Sequence, residues 1–202
     1  MAVNNLQFTK IEIRIAKYLF KHYKDRYNAR QLARILNINH AHSNKLCNIL
    51  ADKKLLIKEE IGNSSFFSYE YGNKLAIKFM EYTLSLEKKE FPKWLDVLSH
   101  SMDKFRDYIE MGLIFGSSIN RKDFNDIDVL LMYNMEKSKD IKKIKDEIRK
   151  SELVEKPVRY VDIAEKDILL NKENKNFYSI LSESLVFHNP EKYVEVVRKC
   201  HK

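Results

Sequence analysis

Apolar side chains near the start of the chain recur at the spacing of an amphipathic helix. Ile11, Ile15 and Leu19 are four residues apart in turn, so they share one helix face. Thr9 stands where an N-cap belongs, and Glu12 three residues later completes the sequence signature of a capping box. The pattern therefore predicts a helix that begins directly after Thr9.

Two further helices and a hairpin are predicted before residue 72. A short amphipathic helix spans 30–37, and a third helix runs from His40 to about Lys53 with Asn39 as its cap. Strand-like segments at 55–61 and 66–71 flank a turn that contains Gly62. Helix, helix, short turn, helix and hairpin in this order is the layout of a winged helix-turn-helix.

The third helix has two chemically different faces. One face carries small and apolar side chains, namely Ser43, Leu46, Cys47 and Leu50. The other face is mostly polar and carries Ala41, His42, Asn44, Lys45 and Asn48. We expect the first face to be buried and the second to be free to bind a partner, although an exposed face that binds nothing has the same pattern.

The charge of the chain is concentrated near its start. Residues 1–58 hold 12 basic and 3 acidic side chains, whereas residues 91–202 hold 21 and 20, and the whole chain has a formal charge of +8. A basic segment joined to a nearly neutral one is typical of a protein that meets a polyanion with one part. A lysine-rich solvated surface gives the same count, so charge alone does not decide between the two.

Residues 31–60, QLARILNINHAHSNKLCNILADKKLLIKEE, closely resemble the winged helix-turn-helix family. Ala33 falls on the small residue of the family's second helix and Ile38 on its apolar turn residue, whereas Lys54 stands where a glycine usually ends the recognition helix. The resemblance implies DNA as a partner, contacted through His42, Asn44, Lys45 and Asn48. Members of this family also serve as dimerisation or protein-binding modules.

The chain is expected to hold two domains, over 1–90 and 91–202. A helix pattern from residue 73 to 89 is interrupted at Phe91-Pro92, and a residue before proline is disfavoured in a helix. A further helix is predicted over 94–109.

A cytoplasmic location is expected. The longest apolar run, Met111–Phe115, is far shorter than a membrane span needs, and the start of the chain lacks a signal-peptide core. Cys47 and Cys200 form neither a disulfide framework nor a metal-ligand pattern.

The most informative stretch is 111–133, MGLIFGSSINRKDFNDIDVLLMY. It predicts a strand that ends at Gly116-Ser117, a polar connection, and a second strand from Ile127. A glycine at a strand end permits positive φ or close approach of a ligand, and Ser117 and Ser118 add donors suited to phosphate oxygens.

Two carboxylates open the second of these strands. Asp126 and Asp128 are two residues apart, so both point to one face of the strand, where they repel each other. A divalent cation would relieve that repulsion, since hard cations prefer carboxylate oxygens. A third strand over 158–163 contains Asp162, which would complete a triad if the strand lies beside the second one. Such a triad would have the arrangement of a two-metal phosphoryl-transfer site.

Residues 95–200 resemble the minimal nucleotidyltransferases of the DNA polymerase β-like superfamily. Their motif is a strand, Gly-Ser, about ten residues, Asp-x-Asp and a later third acid, which correspond here to Gly116-Ser117, Asp126, Asp128 and Asp162. The family often has Arg-Gly shortly after Gly-Ser, and this chain lacks that glycine.

This second resemblance implies a site, its cofactors and its partners. Asp126, Asp128 and Asp162 would be catalytic and bind Mg²⁺ or Mn²⁺, while the nucleoside triphosphate, ATP foremost, would be held by Gly116, Ser117, Ser118 and Arg121. Members of the family often modify a partner toxin of the HEPN type, so a protein acceptor of that kind is implied.

The sequence thus predicts an α+β protein with an N-terminal winged helix-turn-helix and a small mixed-sheet nucleotidyltransferase domain flanked by helices. The expected activity is metal-dependent transfer of a nucleoside monophosphate to an acceptor hydroxyl. The alternative is a DNA-binding transcriptional regulator whose second domain senses nucleotide or is an inactive dimerisation module, the latter as a homodimer.

Overall fold

The computed structural model of the chain describes residues 7–87, 91, 93–121, 123–151 and 156–201. The chain forms two units, Met1–Thr83 and Leu84–Lys202. Residues 88–90 and Pro92, at which the sequence suggests a boundary, lie outside the described residues. Each unit has its own sheet and its own buried core.

The N-terminal unit combines helices with a small antiparallel sheet. In chain order its elements are α1 (Lys10–Lys21), β1 (Tyr27–Asn28), α2 (Ala29–Leu36), α3 (His40–Asp52), β2 (Leu56–Ile61), β3 (Ser64–Tyr69) and α4 (Lys74–Ser85). β3 lies between β1 and β2 and is antiparallel to both. Three helices followed by a hairpin, which we call the wing (Leu56–Tyr69), form a winged helix-turn-helix, as the sequence predicts.

The predicted helix starts are confirmed by their hydrogen bonds. The Thr9 hydroxyl accepts from the Glu12 backbone N–H at 3.2 Å, and the Glu12 carboxylate accepts from the Thr9 N–H at 2.7 Å, which closes a capping box on α1. The Asn39 side chain accepts from the N–H groups of Ala41 and His42, at 2.9 and 3.3 Å, and caps α3.

The end of α3 shows how Lys54 replaces the expected glycine. Lys54 adopts the left-handed conformation with φ +57°, and the next N–H, of Leu55, donates to the Leu50 carbonyl at 3.0 Å. Such a turn ends helices in general and favours glycine, because a side chain is crowded at positive φ. The fold therefore keeps the usual backbone here and tolerates the strain of a lysine.

The N-terminal core lies between the helices and β3. Its largest fully buried side chains come from α1, α2, α3 and β3 and include Ile15, Leu19, Phe20, Leu32, Leu50, Phe67 and Tyr69. Two of the buried tyrosines have paired hydroxyl groups: Tyr69 donates to the Ala76 carbonyl at 2.5 Å and Tyr71 to that of Phe20 at 2.6 Å. These bonds satisfy polar atoms that burial would otherwise penalise.

The C-terminal unit is a four-stranded mixed sheet with helices on both faces. Its elements are α5 (Lys93–Met102), β4 (Met111–Phe115), α6 (Ser117–Asn120), β5 (Ile127–Met132), α7 (Ser138–Lys150), β6 (Val158–Ile163), α8 (Glu165–Leu170), α9 (Lys175–Ser182), β7 (Ser184–His188) and α10 (Pro190–His201). The strand order is β6-β5-β4-β7, with β5 and β6 parallel and β4 antiparallel to both its neighbours. The predicted helix over 94–109 is shorter than expected, since α5 ends at Met102 and a 3₁₀ turn follows.

Alternation along β5 assigns the two faces of this sheet. Ile127, Val129 and Leu131 belong to the core cluster that also contains the apolar residues of α5 and α7. Leu130 and Met132 are buried on the other face, where α10 packs on β4 and β7. Within the described residues, no helix is both long enough and apolar enough to span a bilayer.

Candidate functional site

The two carboxylates of the Asp-x-Asp motif lie together at the start of β5. Asp126 precedes the strand and Asp128 is its second residue, so both side chains are on the face opposite α5 and α7. Partial burial and the negative charge of Asp126 raise the pKa of Asp128, and the positive charge of Arg159 opposes this rise. The structure therefore confirms the pairing of these two acids on one face.

The backbone at Gly116 is closely approached by another group, as predicted. That group is a side chain of the protein and not a ligand. It has φ +81°, and a Cβ atom at this position would lie 2.4 Å from Asp128 Oδ2. Any other residue would collide with that carboxylate and adopt a strained backbone. The glycine turn and Asp128 thus form one structural feature.

The other residues predicted to bind the nucleotide lie in or beside this turn, and their geometry is less specific. Ser117 opens the four-residue helix α6, and Ser118 is buried with its hydroxyl donating to the Phe115 carbonyl at 3.3 Å. Arg121 follows α6 and is exposed. The Ser118 hydroxyl proton is therefore engaged within the turn, and no geometry assigns Ser117 or Arg121 to a phosphate.

Asp162 does not join Asp126 and Asp128. In the parallel pairing of β5 with β6, Asp128 lies beside Arg159 and Asp162 lies beside Leu131. Residues three apart on a strand point to opposite faces and are separated by about 10 Å along it. The expected convergence of three carboxylates is therefore wrong, because the register places Asp162 on the α7 side of the sheet.

On that side Asp162 has a partner of its own. Its two carboxylate oxygens accept from Lys145 Nζ on α7, at 2.5 and 2.6 Å. In the described part of the chain, no group of three or more His, Cys, Asp or Glu side chains is arranged to hold a metal ion. The donor set at β5 therefore does not fit a two-metal site.

Arg159 occupies the position beside Asp128 at which a third acid was expected. It lies beside Asp128 on β6, and its Nη1 is 2.9 Å from Asp126 Oδ2. The guanidinium places beside the acidic pair a positive charge that we expected a bound metal ion to supply. Sequence reasoning missed this residue, because only the register between β5 and β6 shows that Arg159, and not Asp162, lies beside Asp128.

The predicted DNA-binding residues lie on the exposed face of α3. His42, Asn44 and Lys45 are exposed, and Asn48 is half-buried with its side-chain amide donating to the Asn44 carbonyl at 2.8 Å. The opposite face is buried, with Ser43, Leu46, Cys47 and Leu50 directed into the core. The division of α3 into two faces is thus confirmed.

Two cations on α2, which packs against α3, were not predicted. Arg30 and Arg34 are exposed and four residues apart, so they share a face of α2. The side chains of these two arginines and of Lys45 form no ion pair or hydrogen bond with any described residue. By contrast, Arg26 pairs with Glu59. The spacing of Arg30 and Arg34, four residues apart on a predicted helix, was the signal in the sequence from which their shared face could have been predicted.

A groove of about 370 Å³ lies between α3, the start of α2 and the wing. It is lined by Asn28, Ala29, Arg30, His40, Asn44, Asn63, Ser64 and Ser65. Amide and hydroxyl groups predominate among these side chains, together with one guanidinium. The wing turn and α3 therefore present hydrogen-bonding groups to a single concave surface.

The chain shows only limited similarity to known proteins. Neither a protein-family model nor a curated protein matches the chain. Among solved structures, the adhesin competence repressor AdcR from Streptococcus pyogenes is 20% identical over 50% of this chain and 70% of its own, with a TM-score of 0.36. A mutant of ZitR from Lactococcus lactis is 16% identical over 53% of this chain and 68% of its own, also with a TM-score of 0.36. At these values the likeness carries no functional argument.

Proposed function

We propose that the chain is a DNA-binding transcriptional regulator that reads DNA with α3. The observation that carries the proposal is the exposed polar face of α3 beside three cations that pair with no described residue. In winged helix-turn-helix proteins the recognition helix enters the major groove, while neighbouring elements contact the backbone. An exposed, hydrogen-bonding and positively charged helix face is suited to that task.

The residues divide into two roles on chemical grounds. Arg30, Arg34 and Lys45 neutralise phosphates, which supplies affinity that does not depend on sequence. Asn44 and His42 present donors and acceptors to base edges, since an asparagine side chain pairs in two places with adenine. The wing turn, with Asn63 at its tip, contacts the backbone beside the groove.

We infer that the C-terminal unit of this regulator is not catalytic. The inference rests on the Arg159–Asp126 ion pair and on the separation of Asp162 from the acidic pair. A nucleotide sensor or a dimerisation module is compatible with that arrangement. This inference would be replaced by the enzymatic function if the chain transferred a nucleoside monophosphate from ATP, with magnesium, to an acceptor such as a HEPN-type toxin.

DNA binding is tested by fluorescence anisotropy with a labelled random-sequence duplex. We expect binding that weakens as salt rises, and a further loss in Lys45→Ala. The matched control is Lys74→Ala, which removes an exposed lysine from α4 of the same unit and should bind as the wild type does. Affinity that is indifferent to salt and to Lys45→Ala would remove DNA from the proposed function.

Catalysis is tested separately by incubation with Mg²⁺ and ATP labelled at the α-phosphate. We expect no transfer of label to the protein or to added acceptor, and no release of pyrophosphate. Label transfer that disappears in Asp128→Asn would establish a nucleotidyltransferase and contradict the inference for the C-terminal unit. The DNA-binding result is independent of this outcome.

A further inference from the structure

A second cavity lies in the C-terminal unit, on the sheet face opposite the Asp126–Asp128 pair. Its volume is about 260 Å³, and it is lined by Lys145, Ile148, Arg149, Lys156, Pro157, Val158 and Tyr160. Three of these side chains are cationic, and none of the lining residues that the structure describes is acidic. The cavity is therefore distinct from the candidate site at β5 both in position and in charge.

The three cations differ in how firmly they are held. Lys145 is fixed by its bonds to Asp162 and lies 4.8 Å from the centroid of the Tyr160 ring. Arg149 reaches Asp146 at 3.4 Å, and both side chains of that pair are exposed. Exposed pairs of this kind contribute little energy, so Arg149 can exchange its partner for a ligand. Lys156 forms no ion pair with a described residue and lies 6.0 Å from the Phe124 ring centroid.

The walls of the cavity are apolar. Ile148 is 2% exposed, and Pro157 and Val158 add aliphatic surface beside the Tyr160 ring. The Tyr160 hydroxyl is buried and has no hydrogen-bond partner among the described residues. An aromatic ring and aliphatic carbons therefore form the wall, while Arg149 and Lys156 stand at an exposed edge.

We propose that this cavity binds a small organic anion, with an aromatic or other flat apolar body against Tyr160. Its phosphate or carboxylate group lies between Arg149 and Lys156, because guanidinium and ammonium groups form the strongest hydrogen bonds with such anions. Ligand sites usually measure about 300–1,000 Å³, so a cavity of about 260 Å³, just below that range, favours a single ring over a dinucleotide. The proposal stands independently of the DNA-binding function.

The full chain is titrated by isothermal calorimetry with three probes that separate the two halves of the ligand. Phenyl phosphate carries a ring and an anion, inorganic phosphate only the anion, and phenol only the ring. We expect phenyl phosphate to bind more tightly than either of the others. Arg149→Gln and Lys156→Gln should each raise its Kd by about tenfold, the effect of losing one charged hydrogen bond.

Lys142→Gln is the matched control, since Lys142 is an exposed lysine of α7 that does not line the cavity. It should leave the Kd of phenyl phosphate unchanged. The replaced side chains at 149 and 156 are exposed, and circular dichroism of each variant checks that it is folded. Failure of phenyl phosphate to bind, or equal binding by all variants, would overturn the proposal, and so would inorganic phosphate binding as tightly as phenyl phosphate.

Discussion

Arg159 Nη1 lies 2.9 Å from Asp126 Oδ2, at the position of β6 that is paired with Asp128. This ion pair places one positive charge beside the two acids, and that charge only partly offsets the rise in the pKa of Asp128. Two neighbouring carboxylates need a positive charge, and the chain supplies one from its own edge strand. The guanidinium also stands where a third carboxylate would have to be for three acids to share one face.

Arg159→Asp is therefore expected to create metal affinity. Three carboxylates would then lie on one face at adjoining positions of β5 and β6, a donor set that divalent cations prefer. Mn²⁺ titration followed by electron paramagnetic resonance should show a bound ion in Arg159→Asp and weaker binding in the wild type. Arg159→Ala is the control, because it removes the cation without adding a ligand. Equal Mn²⁺ affinity in all three proteins would contradict the importance assigned to Arg159.

Asp128→Asn should stabilise the C-terminal unit at neutral pH. The pKa of Asp128 is raised in the folded state, chiefly by burial, from an ordinary value of 3.8. A raised acid pKa means that folding favours the protonated form, so stability is lost as the pH rises through the folded-state pKa. The neutral amide avoids this loss.

Urea denaturation at pH 7 and at pH 3 measures this effect. We expect the gain from Asp128→Asn to be present at pH 7 and to shrink at pH 3, where the wild-type carboxyl is protonated. Asp123→Asn serves as a control at an exposed position of the same unit. A variant that is less stable than the wild type at pH 7 would show that the charged form of Asp128 is stabilised by its surroundings.

Tyr160→Phe should cost no stability, in contrast to Tyr193→Phe. The Tyr160 hydroxyl is buried without a described partner, whereas the Tyr193 hydroxyl donates to the Leu181 carbonyl at 2.6 Å. Removal of a paired buried hydroxyl costs about 1 kcal/mol, while removal of an unpaired one is neutral or favourable. The free energies of unfolding of the two variants, from urea titration, provide the comparison. A loss of similar size in both would mean that the Tyr160 hydroxyl is satisfied in solution.

Lys54→Gly should stabilise the N-terminal unit. Lys54 has φ +57° at the end of α3, and a left-handed residue with a side chain costs about 1 kcal/mol that glycine avoids. Lys54→Ala removes the same charge but keeps a Cβ atom, so it should gain nothing. Thermal unfolding of both variants followed by circular dichroism distinguishes them. If alanine stabilises as much as glycine, charge and not backbone strain is the cause.

The local features of the fold could be predicted from sequence because their signals are local. The Thr9 and Asn39 caps, the two faces of α3 and the alternation along β5 all depend on spacing within one element. The resemblance to the winged helix-turn-helix family identifies Lys54 as the position that usually holds glycine. The left-handed backbone at this position could not be predicted from a lysine.

The relation between strands could not be predicted in the same way. β6 is an edge strand, so its pattern of burial is irregular: Val161 is 40% exposed, and Asp162 lies on the face that packs against α7. Alternation along such a strand does not reveal which neighbour each residue has. The register, which depends on contacts between distant segments, places Arg159 and not Asp162 beside Asp128.

The salt dependence of DNA binding by a double variant, Arg30→Ala with Arg34→Ala, tests the central claim most directly. Each lost phosphate contact should reduce the slope of log K against log salt by about 0.9, so the double variant should be about 2 units shallower than the wild type. The slope is measured by anisotropy with a labelled duplex at several salt concentrations. A shallower slope with weaker binding is the expected result, and a double variant with the wild-type slope and affinity would contradict DNA recognition through α2 and α3.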